Sequence, residues 1–396
     1  MKRLITISLL ILFTLSLYGT TLKIWAMGEE AKKLPLVIED FEKENPGVTV
    51  KVQALPWSSA FEKLLTGVAG RQLPDIAQMG TTWMSSFSAM GAFQDLRKYI
   101  AKSDVVSEEK FFPGSWATCV YRGKVYGIPW YVDTRVLFYR TDLLAEVGYN
   151  EAPKNWDELY DAAKKLAQRP EMYGLTLQTN EIQEFIPFVW QNNATVIDEN
   201  NELRVNDPKF KEALDFYARF FEENIVPKAG SGNVFQDFAT GFVPMFFTGP
   251  WMVSMMHEQV PQIDGKWAVA LMPQKVTRTS FMGGSDWVIF KTSKNKDLAW
   301  KFIEFMSRPD VQFKWYQILK SLPAVKEVWE YPELKDDPFT SVFGEQLKDA
   351  RATPNIPEWE KIESIVERKL EERVLGKITT EKAVEDMVKE ISKILK

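Results

Sequence analysis

Asp133 and Arg135 stand two residues apart, behind Pro129, Trp130 and Tyr131 and ahead of the apolar run Val136-Leu137-Phe138-Tyr139. The run is short enough for a buried strand. A soluble protein seldom sets opposite charges and large aromatics at one strand entrance unless that entrance faces something. Four more stretches share the mixture of indole, glycine and hydrogen-bonding groups: Trp25–Glu30, Met79–Trp83, Gly249–Trp251 and Gly283–Trp287. They supply the candidate binding residues Glu29, Glu30, Thr81, Trp83, Trp130, Asp133, Arg135, Trp251, Gly284, Asp286 and Trp287. Indole faces stack on apolar C–H surfaces, while carboxylates and amides fix hydroxyls. That pairing suits a sugar ring.

Each candidate has a plainer reading. Asp133 could simply pair with Arg135 at a joint, and exposed pairs contribute little. Trp251, Trp25 and Trp83 could be core residues, since most buried Trp serve packing. Asp286 could cap a turn. His257 and Cys119, the one histidine and the one cysteine, read as a surface or packed imidazole and a small buried hydrophobe. With so few, a disulfide framework and most His/Cys metal sites are excluded. The sequence lacks G-x-S-x-G, H-E-x-x-H and the phosphate-cradling G-x-x-x-x-G-K, and no catalytic residue or cofactor is expected. Paired acids beside indoles still describe a glycosidase, which stays open.

The elements that must position these residues follow from periodicity. The 396 residues are 45% hydrophobic and 26% charged, an ordinary globular composition too long for one core, so two lobes are expected. A net charge of −5 without a basic block argues against a nucleic-acid partner. Met1-Lys2-Arg3 followed by apolar Leu4–Leu17 reads as an export signal over residues 1–20, with no lipid-anchoring Cys at its end. Thr21–Trp25 and Val48–Ala54 alternate as strands and Asp75–Met79 is a third after Pro74, separated by helices around Leu34–Phe41 and Phe61–Val68; this order implies a parallel sheet. Ligands collect at the carboxyl ends of such strands. Thr141 should cap a helix Asp142–Val147, and Asn155-Trp156-Asp157-Glu158 reads as a capping box. Strands are expected at Tyr173–Leu177, Val243–Phe247, Trp267–Leu271 and Ser280–Phe290, and the tail should be helical.

In sequence order the chain carries Pro74-Asp75-Ile76, Gly91-Ala92-Phe93, Tyr126-Gly127-Ile128-Pro129, Trp156-Asp157-Glu158-Leu159, Gly249-Pro250-Trp251, Gly283-Gly284 and Pro354-Asn355-Ile356-Pro357. Over nearly its whole length it resembles the extracellular solute-binding proteins of bacterial ABC sugar importers, the family of maltose-binding protein. The resemblance implies an α/β, two-lobe type II periplasmic binding fold, each lobe a mainly parallel sheet flanked by helices, with three hinge crossings. These map near Val132–Arg135, Phe281–Asp286 and Pro323–Trp329. The implied lobes are residues 21–132 with 282–328, and 133–281 with 329–396. The implied partners are a carbohydrate and the membrane permease subunits, for a monomer in the periplasm. The acid of the first crossing maps to Asp133, and the ring-stacking Trp of Gly-Pro-Trp to Trp251. In one place the chain departs: where maltodextrin binders carry adjacent aromatics after Asn-Ile-Pro, it has Glu363-Ser364. That leans towards a mono- or disaccharide, or a different linkage. A polyamine, held by the aromatics with Asp133 and Glu29, is the second kind of solute to weigh.

Overall fold

The computed structural model describes residues 19–395, so the expected leader lies outside the described residues except for its last two. Alternation produces β1 (Thr20–Met27), in which Leu22, Ile24 and Ala26 are fully buried. β2 (Val48–Leu55) and β3 (Ile76–Gly80) both run parallel to it, one on each side. Helices Pro35–Glu44 and Trp57–Gly70 supply the crossovers, each turning an apolar face to the sheet. Then come β4 (Gly127–Thr134) and β5 (Val136–Arg140), which only Arg135 separates. Apart from a two-residue hairpin, Val120–Tyr121 with Lys124–Val125, the remaining strands are β6 (Met245–Thr248), β7 (Trp267–Ala270), β8 (Ser280–Ile289), β9 (Leu322–Pro323) and β10 (Ala350–Arg351).

These strands form two main sheets. The larger is ordered β9-β4-β8-β3-β1-β2, with β10 paired to β8, and the smaller is β6-β5-β7. Arg135 is therefore the point where the chain leaves one sheet for the other. The expectation of mainly parallel sheets holds only for β2-β1-β3 and the short β8–β10 pair. β8 is antiparallel to both β3 and β4, and the smaller sheet is antiparallel throughout. Parallel pairing needs a crossover between consecutive strands. A strand that returns from elsewhere in the chain, as β8 does, is free to enter from the opposite end.

Helices complete the second half. Phe185, Phe188, Tyr217 and Trp359 are buried together with the helices that carry them. Asn155 caps helix Trp156–Leu166 as expected, its Oδ1 accepting the Glu158 N–H at 2.9 Å. Two local expectations fail. Helix Thr141–Glu146 has Arg140, not Thr141, in the capping place, and the Arg140 guanidinium grips the Asp142 carboxylate. Tyr173–Leu177 is not a strand: it runs beside β6 with only isolated bonds, such as Thr176 N–H to the Met245 carbonyl.

Where β4 pairs with β8, Ser285 lies opposite Tyr131 and Asp286 opposite Pro129, so Trp130 is the extra residue of a bulge in β4, and its side chain goes inward. Its ring lies 4.1 Å from that of Trp287 and 4.9 Å from that of Trp315, and all three side chains are shut off from solvent. Trp130→Ala should therefore lower the unfolding free energy by about 3–5 kcal/mol in urea denaturation; a change below about 1 kcal/mol would contradict this packing.

Candidate functional site

The loops at the carboxyl ends of β1 and β3 meet the β4–β5 crossing, β8, helix Trp251–Gln259 and helix Trp359–Val374 around a cavity of about 990 Å³. Glu29, Glu30, Thr81, Trp83, Asp133, Arg135, Trp251 and Gly284 all line it. Eight of the eleven sequence candidates are thus brought together.

Trp130, Asp286 and Trp287 are not. The two tryptophans belong to the core stack just described. Asp286 is fully buried, accepting a bond from Thr118 Oγ1 at 3.0 Å, with Oδ1 unpartnered. The pairing of β8 with β4 slips between Ser285 and Asp286. The extra residue of this bulge is Trp130 on β4, and Asp286 lies opposite Pro129 and against Thr118. Burial pushes its carboxyl up to about 7. His257 fits its plain reading, an exposed imidazole beside Asp264.

The crossing is cross-braced. Asp133 Oδ1 accepts from Arg135 Nη1 at 2.7 Å, and Arg135 Nη2 donates to Gln183 Oε1 at 2.6 Å. The same guanidinium lies 4.8 Å from the centre of the Trp251 ring and 5.3 Å from that of Phe281. Asp133 does pair with Arg135, and the pair sits in the cavity wall. Both side chains are only slightly exposed, so the link is stronger than a surface bridge.

Tyr131, on the same face of β4 as Asp133, carries the network onward. Its hydroxyl donates to Glu30 Oε1 at 2.9 Å and accepts from Gln78 Nε2 and Ser285 Oγ at 3.2 and 3.1 Å. Burial pushes Glu30 up to about 7 despite that bond. Gly284, at φ 129°, leaves room for this strand contact: a Cβ there would sit 2.2 Å from the Tyr131 carbonyl oxygen. Across the cavity Trp57 and Trp83 form a tilted pair, 5.5 Å between ring centres.

Sequence reasoning missed Trp57, Tyr131, Gln183, Glu181 and the face Glu360, Glu363, Glu367, all of which line the cavity. Trp57 opens the helix that follows β2, so the strand-end rule already pointed there. The glutamates recur at i, i+3 and i+7 of one helix, a spacing that gives one face but not its direction. Glu367 Oε1 takes the Ile182 N–H at 3.0 Å, whereas Glu360 Oε1 and Glu363 Oε2 are buried and unpartnered. Burial pushes Glu367 up to about 7 and also raises Glu360. Glu363 goes well above the carboxylate range, through burial first and then the charges of Glu360, Glu367 and Glu181. Protonated, these carboxyls both donate and accept hydrogen bonds. Among the described residues no group of His, Cys, Asp or Glu is arranged to hold a metal ion.

Comparison with known proteins bears on this arrangement. Residues 27–313 match the family model described as bacterial extracellular solute-binding protein. The sugar-binding protein MalE from Xanthomonas citri is 35% identical, with a TM-score of 0.85 over 95% of this chain and 97% of that one. An ABC transporter solute-binding protein from Thermotoga lettingae, solved with α-D-tagatose, is 27% identical, with a TM-score of 0.88 over 95% of this chain and 100% of that one. The galactooligosaccharide-binding protein of Bacillus subtilis is 25% identical over 382 residues, 93% of this chain and 87% of that protein.

The raised carboxyls set a stability profile. Folded Glu363 and Glu367 keep protons that the unfolded chain releases just above its ordinary pKa of 4.5, so stability falls as pH rises from about 4.5 to 7 and beyond. Glu363→Gln removes that penalty. Its melting temperature relative to wild type should be higher at pH 8 than at pH 5 by about 2 °C or more; an equal difference at both pH values would contradict the burial of this acid.

Proposed function

The chain belongs to the bacterial extracellular solute-binding proteins, and from that premise we propose that it is the sugar-binding component of an ABC importer, capturing its ligand in the cleft. One observation carries the reading: indole faces and hydrogen-bonding acids, drawn from segments far apart in sequence, converge on a single cavity. Trp251 and the Trp57–Trp83 pair offer apolar faces, and Asp133, Glu30 and the glutamates of helix Trp359–Val374 offer partners for hydroxyls.

Residues 21–132 with 282–328, and 133–281 with 329–396, act as the two lobes. A ligand that touches both favours the closed form by its differential affinity. Micromolar binding corresponds to about −8 kcal/mol, within reach of stacked rings and several hydrogen bonds after ordering costs. The closed form is what the permease subunits receive. Residues 1–20 direct export, and the mature chain acts in the periplasm as a monomer without a lipid anchor, without catalysis and without nucleic acid.

A cationic solute such as spermidine is the second reading. It is favoured by the balance of charge in the cavity wall, where nine carboxyl side chains face only Lys33 and Arg135. The two readings separate by pH. Closing on a neutral sugar excludes water from the carboxyls, so it favours their protonated forms; ionised carboxylates favour a cation. Sugar affinity should therefore fall by about three- to tenfold between pH 6 and pH 8.5, and a cation's should rise. Calorimetry with short oligosaccharides and with spermidine reads this directly: sugar binding that weakens as pH rises supports the first reading, and spermidine binding that tightens as pH rises, with no sugar bound, would favour the cation.

At neutral pH, Trp251→Ala or Asp133→Ala should weaken sugar binding at least tenfold, about 1.4 kcal/mol, and Asp133→Ala, which strands the Arg135 guanidinium, should also lower the ligand-free melting temperature. Wild-type affinity in both variants would remove the cleft from the binding account.

A further inference from the structure

Helix Trp251–Gln259 is a partition with a cavity on each side. Trp251, Ser254, Met255 and Glu258 recur at helical spacing on the cleft side. Met252 faces a second cavity of about 570 Å³, and Gln259, at the helix end, lines both. The second cavity is floored by Phe246 and Phe247 of β6 and closed by the 231–235 loop.

Its polar groups are unusual for a protein interior. Thr176 is 4% exposed, and its Oγ1 is buried without any hydrogen-bond partner. A buried hydroxyl left in that state is costly, and such groups are normally satisfied. Its neighbour Glu184 is 8% exposed, with Oε1 accepting the Gln178 N–H at 3.1 Å. Burial pushes Glu184 up to about 8, so at neutral pH it is an acid that can donate. Asn233 Oδ1 is committed to capping helix Val234–Thr240, leaving its amide nitrogen as a donor. Among the described residues no Lys, Arg or His lines the cavity. An anion would find no counter-charge, and a protonated Glu184 offers a cation none. What fits is a neutral molecule with several hydroxyls and an apolar face.

We propose that this cavity is a second carbohydrate subsite, which receives a further neutral sugar ring of the ligand whose first ring lies in the cleft. The glycan passes around the Gln259 end of the partition, and a ring hydroxyl completes Thr176 Oγ1 and Glu184. The inference rests on the carbohydrate reading of the cleft and adds to it a minimum chain length.

Titration calorimetry of the full chain with matched pairs, maltose and maltotriose, mannobiose and mannotriose, tests it. Within the pair that binds, the trisaccharide should bind at least tenfold tighter than the disaccharide. Thr176→Val should remove that advantage and leave the disaccharide affinity unchanged. Gly232→Trp is a second probe that spares the core, because Gly232 has nothing within 4 Å of a Cβ and needs no left-handed backbone; a bulky ring there should block the cavity with the same result. Equal affinity of wild type for both lengths, or an undiminished trisaccharide advantage in both variants, would overturn the second subsite. The cleft reading would survive either result if Trp251→Ala weakened both lengths alike. No binding of any of the four sugars by wild type would overturn both.

Discussion

Arg135 occupies the single residue between the two sheets, and its guanidinium is held from several directions at once. Asp133 is on the strand that arrives, Gln183 on a helix of the second half, and Trp251 and Phe281 lie against its face. A planar cation with a fixed fork of donors can satisfy a carboxylate, an amide and two π-faces together, which a lysine could not. The consequence reaches beyond the pair. The chain cannot pass from one sheet to the other without placing an acid, a base and an indole at the mouth of the cleft. Hinge and ligand wall are thus built from the same few atoms, so a ligand that touches them acts on the relation between the lobes.

The second constraint is the burial of acids. Glu30, Glu363 and Glu367 are held above the ordinary carboxylate range mainly by loss of water. An acid in that state behaves towards a hydroxyl much as an amide does, offering a donor and an acceptor. On the proposed carbohydrate reading, these groups meet a neutral, hydroxyl-rich ligand without a full desolvated charge. The departure at Glu363-Ser364, where maltodextrin binders place aromatics, has its structural meaning here. One wall of the cavity presents carboxyl groups, while Trp57, Trp83 and Trp251 present indoles elsewhere.

Periodicity revealed much of the architecture because β1 and β2 alternate, β3 is a short apolar run, and their cavity-lining residues sit at strand ends. That rule located Glu29, Glu30, Thr81 and Trp83. It missed Trp57, which obeys it equally well. Trp130, Asp286 and Trp287 misled because an aromatic or acid near a glycine looks the same from sequence whether its strand turns it inward or outward, and the bulge at Trp130 leaves no mark in the pattern. The smaller sheet's antiparallel pairing was hidden for a different reason, since strand direction depends on where a returning segment enters. The glutamates of helix Trp359–Val374 were visible as a stripe, but which way the stripe faces is settled by packing far away in sequence.

The most direct measurement is a crystal structure of the protein with a bound oligosaccharide. The account predicts a sugar ring against the Trp251 indole, hydroxyls within hydrogen-bond distance of Asp133, and contacts from both lobes. A ligand seated elsewhere, or held by one lobe alone with Asp133 and Trp251 untouched, would contradict it.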